Sequence, residues 1–231
     1  INTDNPVLTG EDARHIGRSL RMKPGEKITV CSCGTDYFCE ISSITEDTVF
    51  LNIKEQKLCS AEPSVDLTLF QAIPKQDKLE HIIQKSVELG VSKIVPVLTR
   101  RCVSRPDKKD FEKKLVRLNK IALEAAKQSG RGIIPTVEPM ISFDEAIIQM
   151  KEYDCPAMLY EEGGIRFSEL NTQEKKSFAL FVGSEGGFDE SEAEAAREAG
   201  IASIWLGERI LRCETAPLTA ISILMFITKN L

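Results

Sequence analysis

Residues 181–188 read Phe181-Val182-Gly183-Ser184-Glu185-Gly186-Gly187-Phe188. The stretch closes a short apolar run, Phe178–Val182, and sets glycines immediately behind it. That order predicts a buried strand followed by a tight loop. Glycine lets a backbone approach a ligand closely and adopt positive φ, and open parallel sheets bind ligands beyond the carboxyl ends of their strands. A second segment repeats the arrangement: Leu206-Gly207-Glu208-Arg209-Ile210-Leu211-Arg212-Cys213-Glu214-Thr215-Ala216 follows an expected strand at Ile201–Leu206. By pattern alone, such loops are as often plain turns as ligand loops. Neither GxGxxG nor GxxxxGK[ST] occurs, so neither a dinucleotide-binding fingerprint nor a P-loop is present.

Outward from these loops the chain alternates strand and helix. Strands are expected at Leu67–Ile73, Lys93–Leu98, Ile133–Val137 and Ala157–Tyr160. Between them, Leu79, Ile82, Ile83 and Val87 share a helical face that Gly90 ends, and Phe111, Leu115, Leu118, Ala122 and Ala125 share another that Gly130 ends. Ser142 with Glu145, and Asp189 with Glu192, have capping-box spacing at two further helix starts. Pro217 suits the first turn of a last helix. Alternation of this kind predicts an α/β domain with a parallel sheet covered on both faces, assigned to residues 66–231. Residues 1–65 read instead as a small β domain. Short strands at Lys27–Cys31, Tyr37–Ile44 and Thr48–Ile53 follow the turn Lys23-Pro24-Gly25-Glu26, after a possible helix at Gly10–Leu20. A linker is placed near Leu58–Ser64.

The apolar stretch Ala216–Ile227 is too short to cross a bilayer, and no secretion signal is legible at a start that opens on Ile1. Seven cysteines without a CxxC fit reduced thiols in a cytoplasmic protein. Cys31 and Cys33 form a CxC, but a zinc site would need a second ligand cluster, so no metal is expected. Net charge is −5, yet residues 75–131 carry +8 between flanks of −4 and −9. A basic segment in an acidic protein is a candidate RNA footprint, although solvated helix faces produce the same excess.

The two glycine segments resemble the cofactor loops of the SPOUT methyltransferases, whose domain carries a trefoil knot. More narrowly, the chain resembles the ribosomal RNA small subunit methyltransferase E family. The likeness rests on His15-Ile16 with Leu20-Arg21-Met22-Lys23-Pro24-Gly25, on Lys85–Val91, on Ala125–Arg131 and on the two glycine segments, and it spans nearly the whole chain. Ser184 departs from the family's usual proline, which puts the stiffness of that loop in question, and Lys127 replaces the usual acidic residue before Gln128.

The resemblance implies a PUA-like barrel, a knotted α/β domain, a homodimer, S-adenosylmethionine as cofactor, and N3-methylation of a uridine in 16S ribosomal RNA. For the cofactor it implies Leu159, Gly183, Glu185, Gly186, Gly187, Leu206, Gly207, Ile210, Leu211, Arg212, Thr215 and Ala216, with Leu206, Ile210 and Leu211 flanking the adenine. Transfer to N3 requires that N3 lose its proton, because neutral N3 has no free lone pair in the ring plane. A base or a cation beside the anionic ring meets that need. Arg212 is the candidate cation. Glu214 or Glu185 is the candidate base or orienting group, against the alternative that Glu214 merely complements a helix N-terminus. His81 is read as structural. Arg14, Arg18, Arg21, Lys75, Arg100, Arg101, Arg105 and Arg131 are the candidate RNA contacts, positioning phosphates rather than reading sequence. Two other readings remain: a SPOUT enzyme with a different RNA target, and a non-catalytic ribosome assembly factor.

Overall fold

A computed structural model describes residues 2–231. The chain divides into two compact units. One comprises the residues up to Glu62 together with Gly130–Ile133; the other comprises Pro63–Ser129 and Ile134–Leu231.

The first unit is a curled antiparallel sheet of β1 (Val7–Thr9), β2 (Lys27–Ser32), β3 (Thr35–Ile44) and β4 (Thr48–Leu58), in the order β1-β4-β3-β2. Register shifts at Phe38/Cys39 and Ile41/Ser43 mark irregularities of the kind that bend and twist a sheet. Ile16, Cys39, Ile41, Val49 and Leu51 form its core. Three local expectations change. β4 runs on through Lys54–Lys57, whose exposed polar side chains carry no apolar signal. The expected helix at Gly10–Leu20 is α1 (Gly10–Arg14) followed by one wider π turn, His15–Ser19. β1 was not anticipated, because three residues offer too short a pattern.

The second unit is the expected parallel sheet. Its strands are β5 (Asp66–Ala72), β6 (Lys93–Leu98), β7 (Thr136–Val137), β8 (Ile141–Ser142), β9 (Cys155–Leu159), β10 (Ser177–Val182) and β11 (Ala202–Ile204). The order is β11-β9-β10-β5-β6-β7, with β8 also on β6, and every pairing is parallel. Successive side chains of a strand face opposite ways. Leu67 and Leu69 of β5, with Phe178 and Leu180 of β10, therefore join the core beneath α2 (Lys78–Glu88), α3 (Lys108–Ser129) and α6 (Thr215–Ile227). Phe70 and Phe181 join the opposite core, beneath α4 (Phe143–Met150) and α5 (Glu190–Glu198). The strand expected at Ile133–Val137 shrinks to Thr136–Val137: Ile133 and Ile134 are about half exposed, and Pro135 has no amide hydrogen for a ladder. Among the described residues no helix is long and apolar enough to cross a membrane.

The topology positions the site. From β5 the chain steps one way to β6, and later fills the other side with β9, β10 and β11. β5 and β10 thus flank a point where the strand order reverses, the place where open parallel sheets form a crevice.

Candidate active site

A cavity of about 810 Å³ opens at the carboxyl ends of β9, β10 and β11, within the size range of small-ligand sites. Three loops line it, at Leu159–Glu162, Val182–Gly187 and Ile204–Cys213, with Lys78 and Ala216 completing the wall. All the residues read as cofactor contacts line this cavity except Thr215. Thr215 opens α6 as an exposed residue beside the cavity-lining Ala216, and its carbonyl accepts a hydrogen bond from the Thr219 hydroxyl.

The first glycine loop folds back on itself. The Gly187 amide donates to the Ser184 carbonyl at 3.0 Å. A Cβ on Gly183 would stand 3.0 Å from the Gly187 backbone, and Gly187, at φ +64°, would press one onto the Glu161 carboxylate. Only glycines permit this crossing. Its ends are pinned from below, where the rings of Phe181 and Phe188 meet edge to face at 4.8 Å in the buried core. Ser184 is buried, and its hydroxyl donates to the Arg101 carbonyl at 3.3 Å. The position without proline therefore gains a tether of its own. From β5, the buried Gln71 amide donates to the Gly183 carbonyl at 3.3 Å.

An ionic cluster adjoins the cavity, with Lys78, Glu185 and Cys213 on its wall. The Lys78 ammonium lies 3.2 Å from Glu185 and 3.1 Å from Glu214. The Glu185 carboxylate also accepts from the Lys75 amide at 3.1 Å, and the Cys213 thiol donates to Glu214 at 3.2 Å. Burial pushes the Glu185 pKa up, but its own amide, the Lys75 amide and Lys78 outweigh burial and leave it below the ordinary carboxylate range. The Cys213 thiol and Lys78 hold Glu214 low as well. Lys78 is shifted up by the two carboxylates, while burial and the bond to Glu214 push the Cys213 thiol up to about 12. At neutral pH the cluster is two carboxylates, one ammonium and one neutral thiol. Both carboxylates are engaged by the Lys78 ammonium, an arrangement suited to holding the loops in place.

Sequence reading missed Lys78, although a signal existed. Lys78 is the first residue of α2, where the helix dipole opposes a cation. A lysine placed there needs carboxylates from elsewhere. Trp205 was missed too; it lines the cavity with the Arg166 guanidinium 5.7 Å from its ring centre. Arg212 is exposed on the cavity wall, and its carbonyl accepts the Thr215 and Ala216 amides at 2.8 and 2.9 Å at the entry to α6. Ile210, also on the wall, is 87% exposed. His81 is exposed on α2 rather than packed, and it does not line the cavity.

The candidate RNA contacts separate. In the first unit, Arg14 and Arg18 form exposed ion pairs with Asp47 and Glu46, so they flank one turn. Arg21 lies beyond the helix at φ +54°. In the second unit, Lys75, Arg100, Arg101 and Arg105 are exposed. Arg100 bonds Ser191, Arg101 the Gly186 carbonyl, and Arg105 the carbonyls of Thr99, Arg100 and Cys102. Arg131 is a correction. Its side chain is 3% exposed and pairs with Glu62 at 2.8 Å inside the first unit. A guanidinium so enclosed cannot reach a phosphate.

This fold and cavity define a class, the RNA methyltransferases: the family model described as RNA methyltransferase domain matches residues 61–225, and that described as RNA methyltransferase PUA domain matches residues 8–54. Ribosomal RNA small subunit methyltransferase E of Bacillus subtilis is 37% identical over 97% of this chain and 91% of its own length. The enzyme of that name from Aquifex aeolicus is 30% identical over 95% and 93%. The Neisseria gonorrhoeae enzyme of that name, crystallised with S-adenosyl methionine, superposes with a TM-score of 0.87 at 29% identity, covering 98% of this chain and 94% of its own. The chain belongs to the ribosomal RNA small subunit methyltransferase E family.

Proposed function

We propose that this protein, acting as a cytoplasmic homodimer, methylates N3 of a uridine in 16S ribosomal RNA at the cavity beyond β9, β10 and β11. One observation carries the reading. The glycine crossing, the apolar residues Leu159, Leu206 and Leu211, and the exposed cation Arg212 all line the same cavity. The cavity fits S-adenosylmethionine: Gly183, Gly186 and Gly187 bring backbone without side chains to its wall, and the leucines offer a face to adenine. When bound there, S-adenosylmethionine supplies an electrophilic methyl group on a sulfonium.

The remaining chemistry belongs to the chain. Arg212 lies against the uridine ring and stabilises the negative charge that appears as the N3 proton leaves to water. Glu185 and Glu214 hold Lys78, and Lys78 fixes the two loops that carry them, so that donor and acceptor meet in line. N3 lies on the Watson–Crick edge, so the target base must be unpaired or flipped into the cavity. Arg14, Arg18 and Arg21 of the first unit and Lys75, Arg100, Arg101 and Arg105 of the second are the cations offered to phosphates. Free cysteines fit a reducing compartment, and exposed Phe226 and Ile210 are side chains that a partner subunit would cover.

The test is methyl transfer from labelled S-adenosylmethionine to small ribosomal subunits from cells lacking this gene, followed by nucleoside identification. N3-methyluridine is the expected product. Arg212→Ala should bind S-adenosylmethionine nearly as tightly while losing about 10²–10³-fold in kcat. A different methylated nucleoside would overturn the substrate assignment, and particle binding without transfer would overturn the catalytic one.

A further inference from the structure

Three side chains of the first unit converge away from the active site. Cys31 of β2 stands directly opposite Asp36 of β3 across their hairpin. Cys59 follows β4, and its amide donates to the Gly34 carbonyl at 2.9 Å. Lys57 pairs with Asp36, and side chains two apart on a strand share a face. Cys59 therefore projects on the same side of the sheet as Asp36 and Cys31. The two sulfurs and one carboxylate oxygen all lie within 4.8 Å of one another.

The surroundings hold this triad and leave it without a cation. Cys59 is buried, and its thiol donates to the Gly130 carbonyl at 3.5 Å. Gly132 packs so closely over it that a Cβ there would stand 3.0 Å from the Cys59 Cβ. Asp36 Oδ1 is buried and has no hydrogen-bond partner among the described residues, and Asp36 makes no ion pair among them. A buried carboxylate oxygen without a partner is costly. The third observation is the donor set itself. Thiolates with a carboxylate suit a borderline-soft divalent ion, and tetrahedral zinc at Zn–S of about 2.3 Å places two sulfurs about 3.8 Å apart. Closing from the observed spacing needs only side-chain adjustment.

We propose that Cys31, Asp36 and Cys59 form a zinc site that ties the β2–β3 hairpin to the end of β4. The fourth position is taken by water on the exposed Cys31 side. Binding converts two S–H bonds into two Zn–S bonds and releases both protons to solvent, with no change of oxidation state. The CxC spacing pointed to no site because only one of its cysteines is a ligand. The other two ligands come from different strands, and the sheet register brings them in.

The experiment uses the full chain, reduced and stripped with a chelator, then titrated with Co²⁺ and back-titrated with Zn²⁺. Expected are thiolate-to-cobalt charge-transfer absorption saturating at about one ion per chain, its loss on adding Zn²⁺, and release of about two protons per zinc. Cys31→Ser, a surface change that leaves the fold intact, and Asp36→Asn should each weaken binding at least tenfold. Cys33→Ser should leave it unchanged. Absence of the charge-transfer band overturns the proposal, as does undiminished binding by Cys31→Ser. A Cys31–Cys59 disulfide without metal in protein isolated free of reductant overturns it also.

Discussion

The ammonium of Lys78 stands 3.1 Å from the carboxylate of Glu214, at the mouth of a helix whose dipole opposes it. Lys78 is held there by the loops after β10 and β11, and it joins them in return. Lys78→Met should slow single-turnover methyl transfer by about 10²-fold through misplaced loops. Lys78→Arg should recover much of that loss. Equal rates for Lys78→Met and the parent protein would show that the cluster is merely structural.

The Gly183–Gly187 crossing makes a different demand. Gly183→Ala would place a methyl 3.0 Å from the Gly187 backbone and force the loop that lines the cavity to shift. Its Kd for S-adenosylmethionine should rise at least tenfold, about 1.4 kcal/mol. The melting temperature should move little, because the Phe181–Phe188 contact below is untouched. Calorimetry of binding and of unfolding separates the two effects.

The ionic cluster fixes a pH response. Glu185 and Glu214 have folded-state pKa values below the unfolded carboxylate value of about 4.3. Their contribution to stability is therefore complete above that value and is lost as pH falls through the lowered folded values. Cys213, raised to about 12, contributes in the opposite sense. Its contribution is complete below the unfolded thiol value of about 8.5 and is lost as pH rises toward 12. Urea midpoints should thus be flat across neutral pH and fall at both limbs. Glu185→Gln should blunt the acid limb and Cys213→Ala the alkaline one. At pH 8, iodoacetamide should modify exposed Cys33 well before Cys213.

Arg131 and Glu62 predict a stability effect with no catalytic component. Their side chains are 3% and 14% exposed, and Glu62 also accepts the Ile133 amide at 2.9 Å. Arg131→Ala would strand a buried carboxylate and should cost about 3–5 kcal/mol. The double change Arg131→Met with Glu62→Leu should restore most of it. Denaturant unfolding of the two variants checks both statements.

What could be read from the chain beforehand follows from where each signal is stored. The glycine loops were legible because a backbone crossing excludes every other residue, and that exclusion is written locally at Gly183 and Gly187. The parallel sheet was legible because short strand patterns alternate with helical faces along residues 66–231, and β10 reads as a continuous apolar run from Phe178 to Val182. Lys78, Trp205 and the Cys31–Asp36–Cys59 triad were not, since each gains its meaning from residues distant in sequence. Arg131 was misread for the same reason: a basic residue behind Gly130 looks like a surface loop until Glu62 arrives. A knot has no local signature at all, because periodicity records faces and not threading.

The placement of Gly130–Ile133 in the first unit has a consequence for synthesis. A chain leaving the ribosome exposes all four strands of that unit long before the four residues that cover Cys59 and neutralise Glu62 have been made. During that interval Glu62 lacks its guanidinium, and the unit waits on α2, β6 and α3 to emerge. The two units are therefore bound in time as well as in sequence: a nascent chain that has emerged only to residue 62 carries an unfinished first unit, and one that has emerged past residue 133 carries a finished one.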